Sequence, residues 1–185
     1  KGYLTFALYD YLANTLRHDI RITGVEYRQD LVTLCNDIAR ATEFKNLRFE
    51  QNTIAGYRYD NPTIVIALHA CDTATDDAIY GAIKAGAPVI VVAPCCHKQL
   101  RRDMATATAD HTLHPMLKHG TYAERMAEMT TDTIRAELME TEGYRTKLFE
   151  FIGGEHTPKN VMIVGLKSPA RDAEKTRTLH REAVT

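Results

Sequence analysis

The sequence of 185 residues is long enough for one full-sized hydrophobic core. Hydrophobic residues make up 44% and charged residues 25%, which is typical of a soluble globular protein. The formal net charge of −1 argues against a domain-wide basic surface for nucleic acid but is compatible with a local basic patch. The sequence has no apolar run of about 18 residues. Its four cysteines include an adjacent pair and do not suggest a disulfide framework, so we expect a cytoplasmic protein that spans no membrane.

The first third of the chain is predicted to contain two helices and two short strands. The second helix contains Cys35, which we expect to be a small buried core residue. The elements after the first helix are a strand at 20–26, a helix at 29–42 and a short strand at 47–50. A leucine at every fourth position predicts the apolar face of the first helix, formed by Leu4, Leu8, Leu12 and Leu16 and widened by Tyr11.

Two apolar segments in the middle of the chain are typical of strands that are covered on both faces. Residues 63–72 (TIVIALHACD) and 89–98 (VIVVAPCCHK) are rich in isoleucine and valine, which favours a parallel sheet. A helix is expected between them, because Thr73-Ala-Thr-Asp76 has the form of a capping box and Gly86 can end a helix.

The C-terminal half is predicted to combine a long helix with a hairpin. Residues 101–120 show little periodicity and predict no regular element. A helix is expected at 122–142, with its main apolar positions at Met126, Met129, Ile134 and Leu138. Residues 144–152 and 161–166 predict two strands joined by a long loop, which would add an antiparallel edge to the sheet. The tail from Lys167 predicts a frayed or short terminal helix.

The alternation of strands and helices predicts an α/β fold, with a Rossmann-like, doubly wound and mostly parallel sheet in a single domain over 1–185. Such a sheet normally begins with a strand and a glycine-rich turn, whereas this chain begins with a helix. Lys1-Gly2 could be the end of that turn. We therefore expect the natural protein to be longer at its N-terminus, with a first strand between the strand that ends at Glu26 and the strand that leads to His69.

Polar residues follow the predicted strands at positions where a nucleoside could bind. Glu26 lies about 20 residues beyond the possible glycine turn, where an acidic residue accepts hydrogen bonds from ribose hydroxyls. Gln51, Asn52 and Thr53 could hydrogen-bond the edge of a base. The backbone N–H groups of Lys1-Gly2-Tyr3 would favour a carboxylate or a phosphate at the start of the first helix.

Reactive side chains end both apolar segments of the middle region, at His69, Cys71, Asp72, Cys95, Cys96 and His97. Three hypotheses are compatible with them: a zinc site built from thiolates and imidazoles, a catalytic thiol, or a substrate pocket lined by histidine and aspartate with the thiols packed beside it. We favour the pocket. Lys98, Arg101 and Arg102 could contact phosphates or an acidic substrate, although such a run is also typical of a solvated helix start.

Taken together, these segments resemble class I S-adenosylmethionine-dependent methyltransferases. More narrowly, the chain is similar to the methyltransferase-like branch that carries Leu-His-Ala-Cys-Asp and Pro-Cys-Cys-His motifs. The resemblance covers nearly the whole chain and is strongest at Lys1–Phe6, Leu68–Thr75, Ala93–Lys98 and Glu155–Asn160.

The resemblance implies S-adenosylmethionine as the cofactor and suggests a role for each site residue. The cofactor-binding residues would be Lys1, Gly2, Tyr3, Glu26, Tyr27, Gln51, Asn52, Thr53, Leu68 and His69. The catalytic residues would be His69, Asp72 and His97, with His69 the first candidate for a base that takes a proton from the acceptor. Cys71, Cys95, Cys96 and Lys98 would lie on the acceptor side.

The leading hypothesis is a methyltransferase whose acceptor is RNA or protein rather than a small molecule. Relatives that methylate amino groups often carry Asn/Asp-Pro-Pro-Tyr where this chain has His69–Asp72, so the resemblance does not favour adenine N6 as the target. Two alternatives stay open. One is a non-catalytic scaffold that binds the cofactor, and the other is a zinc-binding module that uses the cysteine and histidine clusters.

Overall fold

The structure, a computed structural model, describes residues 2–68, 70, 72–107, 112–153, 156–157 and 159–168. The predictions for Lys1, His69 and Cys71, and for the tail beyond residue 168, lie outside these residues. The chain divides into two compact units, Lys1–Tyr57 and Arg58–Thr185, called here the first and the second unit. The expected single domain over 1–185 stays a prediction.

The first unit pairs two parallel strands around a helix. Strands β1 (Ile22–Glu26) and β2 (Leu47–Gln51) are joined by helix α2 (Gln29–Ala41), and Glu26 is opposite Gln51 in their register. Helix α1 (Tyr3–Tyr9) continues into a π-helical segment (Asp10–Thr15). The buried core of the unit consists of Tyr9, Val32, Cys35, Ala39, Leu47 and Phe49. Cys35 is therefore a core residue, as expected.

The predicted leucine face of the first helix is wrong. Tyr9 is buried instead, and its ring stacks on Phe44 with 4.6 Å between the ring centroids. Leu4 and Leu16 are exposed. The wider turn of the π-helical segment explains the position of Leu16, which follows it, but not that of Leu4, which precedes it.

The second unit contains a four-stranded mixed sheet in the order β3-β4-β6-β5. Strands β3 (Ile64–Ala67) and β4 (Val89–Val92) pair in parallel. Strand β6 (Val161–Lys167) runs antiparallel to β4 on one side and to β5 (Tyr144–Glu150) on the other. The mixed α/β class and the antiparallel C-terminal hairpin are thus confirmed, and β5 rather than β6 forms the edge.

The described residues of the second unit form four helices: α3 (Thr73–Lys84), α4 (Lys98–Ala107), α5 (His114–Leu117) and α6 (Gly120–Thr141). The expectation that 101–120 lacks regular structure is therefore wrong, because α4 and α5 occupy part of it. The core of the unit contains Val65, Ile79, Ala82, Ala87, Ile90, Val92, Ala136, Met139, Tyr144 and Ile163. Among the described residues, no helix is both long and apolar enough to cross a membrane.

The start of α3 does not use the predicted capping box. Asp72 occupies the N-cap position with a φ of 55°, and no side chain caps the helix there. The hydroxyl of Thr75 is buried and donates to the carbonyl of Ala70 at 2.5 Å. Asp76, the expected acidic partner of the box, is instead bound by Arg135. The carboxylate that the local pattern predicts as part of the cap therefore pairs with Arg135, which is distant in sequence.

The predicted apolar face of α6 is also wrong. Met129, Ile134 and Leu138 are 69%, 48% and 58% exposed. The buried positions of the helix are Ala127, Asp132, Arg135, Ala136 and Met139. Two of them are charged, and a search for apolar periodicity cannot find a buried face on which an ion pair replaces hydrophobic side chains.

Candidate functional site

Polar residues of the first unit gather where β1 and β2 end. The two parallel strands finish side by side, with Glu26 opposite Gln51. The backbone N–H of Asn52 donates to the carbonyl of Glu26 at 3.1 Å, and the side-chain Nε2 of Gln51 donates to the carbonyl of Tyr27 at 3.3 Å. Four of the residues predicted to bind the cofactor therefore lie on one rim. Carboxyl ends of strands are where open α/β sheets bind ligands.

One of the two carboxylate oxygens of Glu26 is hydrogen-bonded to the backbone. Its Oε1 accepts a hydrogen bond from the backbone N–H of Arg28 at 3.0 Å, and within the described chain its Oε2 has no hydrogen-bond partner. The Arg28 guanidinium is bound to Asp30 at 2.6 Å, and the hydrogen bond from Arg28 lowers the pKa of Asp30. The Arg28 guanidinium is therefore not hydrogen-bonded to Glu26, and one oxygen of that carboxylate can accept a hydroxyl from a ligand.

The residues after β2 form a tight polar turn. The Oδ1 of Asn52 accepts from the N–H of Thr53 at 2.9 Å, and the Thr53 hydroxyl oxygen accepts from the N–H of Gly56 at 3.0 Å. These oxygens hold the turn. Where the structure describes the chain, the Nδ2 of Asn52 and the Oε1 of Gln51 are unpaired, so one donor and one acceptor are available to the edge of a base.

Gly2 holds a position that only glycine fits easily. Its φ is 69°, in the left-handed region that disfavours other residues. A Cβ there would lie 3.1 Å from the Phe49 ring and 3.4 Å from the sulfur of Cys35. The backbone at the start of α1 is thus pressed against the core of the first unit, and the exposed ring of Tyr3 follows directly. Tyr27, on the rim, is also exposed, so its ring is accessible to a planar ligand.

In the second unit, the segments that follow β3 and β4 meet, as the sequence predicts for neighbouring strands. The N–H of Ala93 donates to the carbonyl of Ala67 at 3.1 Å, just beyond the paired strands. The Oδ1 of Asp72 then accepts from the N–H of Gln99 at 3.2 Å. Asp72 thus links the two segments. Leu68, predicted to contact the cofactor, is half-buried beside β3.

The thiols of Cys95 and Cys96 are both partly exposed, and their sulfur atoms are 3.8 Å apart. That separation is much longer than a disulfide bond, so the two sulfur atoms are not bridged to each other. Lys98 follows as an exposed residue at the start of α4. The described residues, which omit His69 and Cys71, contain no group of three or more histidine, cysteine or acidic side chains placed to hold a metal.

A buried chain of polar groups starts at His97. The side chain of His97 is 2% exposed, and its Nε2 lies 3.0 Å from the Oδ1 of Asp132, whose side chain is 6% exposed. Because an ionised carboxylate only accepts hydrogen bonds, Nε2 is the donor. The Nδ1 of His97 is buried and has no hydrogen-bond partner within the described chain.

Arg135 connects His97 and Asp132 to the segment after β3. Its Nη1 donates to Asp132 at 3.1 Å, its Nε donates to Asp76 at 2.7 Å, and its Nη2 donates to the carbonyl of Asp72 at 2.9 Å. Burial would lower the pKa of Arg135, but hydrogen bonding and charge from Asp76, and then from Asp132, outweigh it and raise the pKa. Arg135 therefore stays a cation.

Asp132 and Arg135 have only a weak signal in the sequence. The pair is spaced three residues apart, as neighbours on one helix face are, and buried Ala136 and Met139 share that face. Three of the predicted residues lie outside the described chain, and the others divide between the rim of the first unit and the linked segments of the second.

Comparison with known proteins identifies one family. Residues 1–103 match the family described as "Methyltransferase domain". No curated protein sequence matches the chain.

Solved structures with similar folds share little sequence. The CMeT domain of citrinin polyketide synthase is 11% identical with a TM-score of 0.51, and the match covers 89% of this chain and 44% of that one. The methyltransferase domain of bacterial CtHen1-C is 12% identical with a TM-score of 0.47, over 80% of this chain and 78% of that one. At such low identity, the first likeness shows a shared fold alone.

Proposed function

We propose that this chain, which belongs to the family of methyltransferase domains, transfers the methyl group of S-adenosylmethionine to RNA or protein. The observation that carries the proposal is the family match over 1–103, a span that includes the rim at the ends of β1 and β2. The cofactor and the acceptor class go beyond that match and rest on the chemistry of the residues.

The rim of the first unit fits a nucleoside. Glu26 offers a free carboxylate oxygen to the ribose hydroxyls, and Tyr27 offers an exposed ring beside it. Gln51 and Asn52 offer an acceptor and a donor to the base, and the turn that Thr53 closes holds them in place. Gly2, whose missing Cβ lets the start of α1 pack against the core, stays a predicted contact. Lys1 and Tyr3 stay predicted contacts.

S-adenosylmethionine would supply an already activated methyl group, so the protein's contribution is to bind and orient. In the second unit, His69 stays the predicted base and Leu68 a predicted cofactor contact. The structure favours a different role for His97. A base must reach the proton that it removes, whereas His97 is buried and bound to Asp132. We propose that His97 positions the Cys95-Cys96 segment, and that Asp72 does the same for the segment after β3 through Gln99.

Calorimetric titration with S-adenosylmethionine tests the proposal. Glu26→Ala should weaken binding at least tenfold, because a hydrogen bond to a charged group contributes about 1.5–3 kcal/mol. The matched control is Asp37→Ala, which removes an exposed acidic side chain of the first unit that is paired with Arg40. Circular dichroism verifies the fold of each variant. Folded wild-type protein that releases no heat on titration would refute the proposal.

A second experiment concerns the acceptor. Transfer of labelled methyl groups from S-adenosylmethionine is measured against RNA and protein fractions. We expect label in one fraction, and we expect the label to be lost in His69→Ala and retained in a variant that changes an exposed histidine elsewhere, His18→Ala. Label that persists in His69→Ala would remove His69 as the base.

A further inference from the structure

The start of α6 carries an exposed surface on which aromatic and basic side chains are combined. His119, Thr121, Tyr122 and Arg125 line an open cavity of about 580 Å³ in the second unit, and these four residues are called the α6 surface here. We propose that the α6 surface binds single-stranded nucleic acid, with a base against the aromatic rings and the neighbouring phosphates on basic side chains. The inference deepens the proposed function and rests on it, because the bound strand would be the methyl acceptor.

The two rings of the α6 surface are available for stacking. Tyr122 is 50% exposed, and its ring meets that of His119 edge to face, with 6.1 Å between the centroids and an angle of 89°. In this arrangement each ring keeps a face that the other ring does not cover. Exposed aromatic faces are what proteins offer to unpaired bases, since every base has a π-face.

The charge of the α6 surface is positive. Arg125 is exposed and, among the described residues, has no ion-pair partner. The nearest carboxylates along the helix are compensated: Glu124 is bound by Arg101 at 2.6 Å and by Lys159 at 3.2 Å, and Lys159 also pairs with Glu128. Within the described part of the chain, the Arg125 guanidinium is therefore unpaired, and none of the four residues that line the cavity carries a carboxylate.

Further basic residues lie beside this surface. Arg101 of α4 reaches the start of α6, where its Nη2 is 3.5 Å from the position of a Cβ on Gly120. Lys98 and Arg102 are exposed four residues apart on α4, which places them near one another on the helix, and Lys118 is exposed just before α6. Arg101 is paired with Glu124, so the cations left for the phosphates of a strand that stacks a base at Tyr122 would be Lys118 and, on α4, Lys98 and Arg102.

The combination favours a nucleic acid over an acidic peptide. Both ligands would be attracted by Arg125 and the lysines, but only a base gains from two exposed rings next to the charges. A duplex would keep its bases stacked inside, so the ligand that fits is a single strand. RNA and DNA share this chemistry, and the experiment distinguishes them.

Fluorescence anisotropy with labelled oligonucleotides of about 12 nucleotides, as RNA and as DNA, tests the inference on the full chain. Tyr122→Ala should weaken binding about tenfold through lost stacking, and Tyr122→Phe should restore it. Arg125→Ala should reduce the slope of log affinity against log salt by about 0.7, the value for one phosphate contact on a single strand. The matched controls are Tyr80→Ala, an exposed tyrosine of α3, and Arg145→Ala, an exposed arginine of β5, and both should bind as the wild type does.

Three results would overturn the inference: no binding of either oligonucleotide at about 50 mM salt, equal effects of the Tyr122 and Arg125 variants and their controls, or equal competition by polyglutamate. Stronger binding of RNA than of DNA would support an RNA acceptor, and equal or stronger binding of DNA would overturn that assignment. Calorimetry with S-adenosylmethionine on the same samples separates the two proposals. If the cofactor binds and the oligonucleotides do not, only the α6 surface is refuted.

Discussion

The buried ionic chain of the second unit predicts an unequal response to the loss of its two aspartates. Asp132→Ala leaves the Arg135 guanidinium, 3% exposed, without its buried partner, and it leaves the Nε2 of His97 without an acceptor. Asp76→Ala removes a partner whose side chain is 50% exposed, so water can replace it. Both substitutions remove an aspartate that pairs with Arg135, and the two aspartates differ in burial.

Breaking a buried ion pair by removing one partner costs about 3–5 kcal/mol, and the cost is smaller where water can reach the cation in place of the lost carboxylate. For a chain of this size, each kcal/mol shifts the melting temperature by about 2–4 °C. Asp132→Ala should therefore lower the melting temperature by about 6–20 °C, and Asp76→Ala should lower it by less. Scanning calorimetry, with urea unfolding as a second measurement, checks both values. Equal shifts for the two variants would refute the reasoning, because burial would then not determine the cost.

The cysteines and Glu124 give two further predictions. Iodoacetamide should label Cys95 and Cys96 in the folded protein and Cys35 only after unfolding, as measured by peptide mass mapping. The reason is that burial raises the pKa of the Cys35 thiol and shields it from the reagent. Rapid labelling of native Cys35 would contradict this. Burial alone would raise the pKa of Glu124, but Lys159 and then Arg101 outweigh it and lower the pKa below the ordinary 4.5. The carboxylate therefore stabilises the fold above pH 4.5 and loses that effect as the pH falls through its folded value. Urea unfolding should show Glu124→Gln less stable than the wild type at neutral pH, by less than about 1 kcal/mol because the side chain is partly exposed, with the difference closing in acid; a constant difference would contradict it.

The parts of the fold that follow from local pattern were predictable. The valine-rich and isoleucine-rich segments predicted two strands of a parallel sheet, which are β3 and β4, and the loop-separated strands predicted the antiparallel hairpin. Glu26 could be placed at a strand end because strand length and the following helix are both visible in the sequence. Periodicity failed in the first helix, where Tyr9 is buried and Leu4 is exposed; the π-helical segment that follows α1 shifts the register of Leu16, and such a segment has no simple sequence signal.

The failure in α6 has a different physical cause. Asp132 and Arg135 are buried because they pair with each other and because His97 and Asp76, distant in sequence, hydrogen-bond them. The cost of burying a charge depends on partners that only the fold brings close, so the same two residues read from sequence look like an exposed face. The consequence reaches the α6 surface. The apolar residues of α6 do not mark its buried side, so the sequence does not show which of its side chains are exposed together. The exposed ring of Tyr122 and the cation of Arg125 could therefore be placed side by side only from the structure.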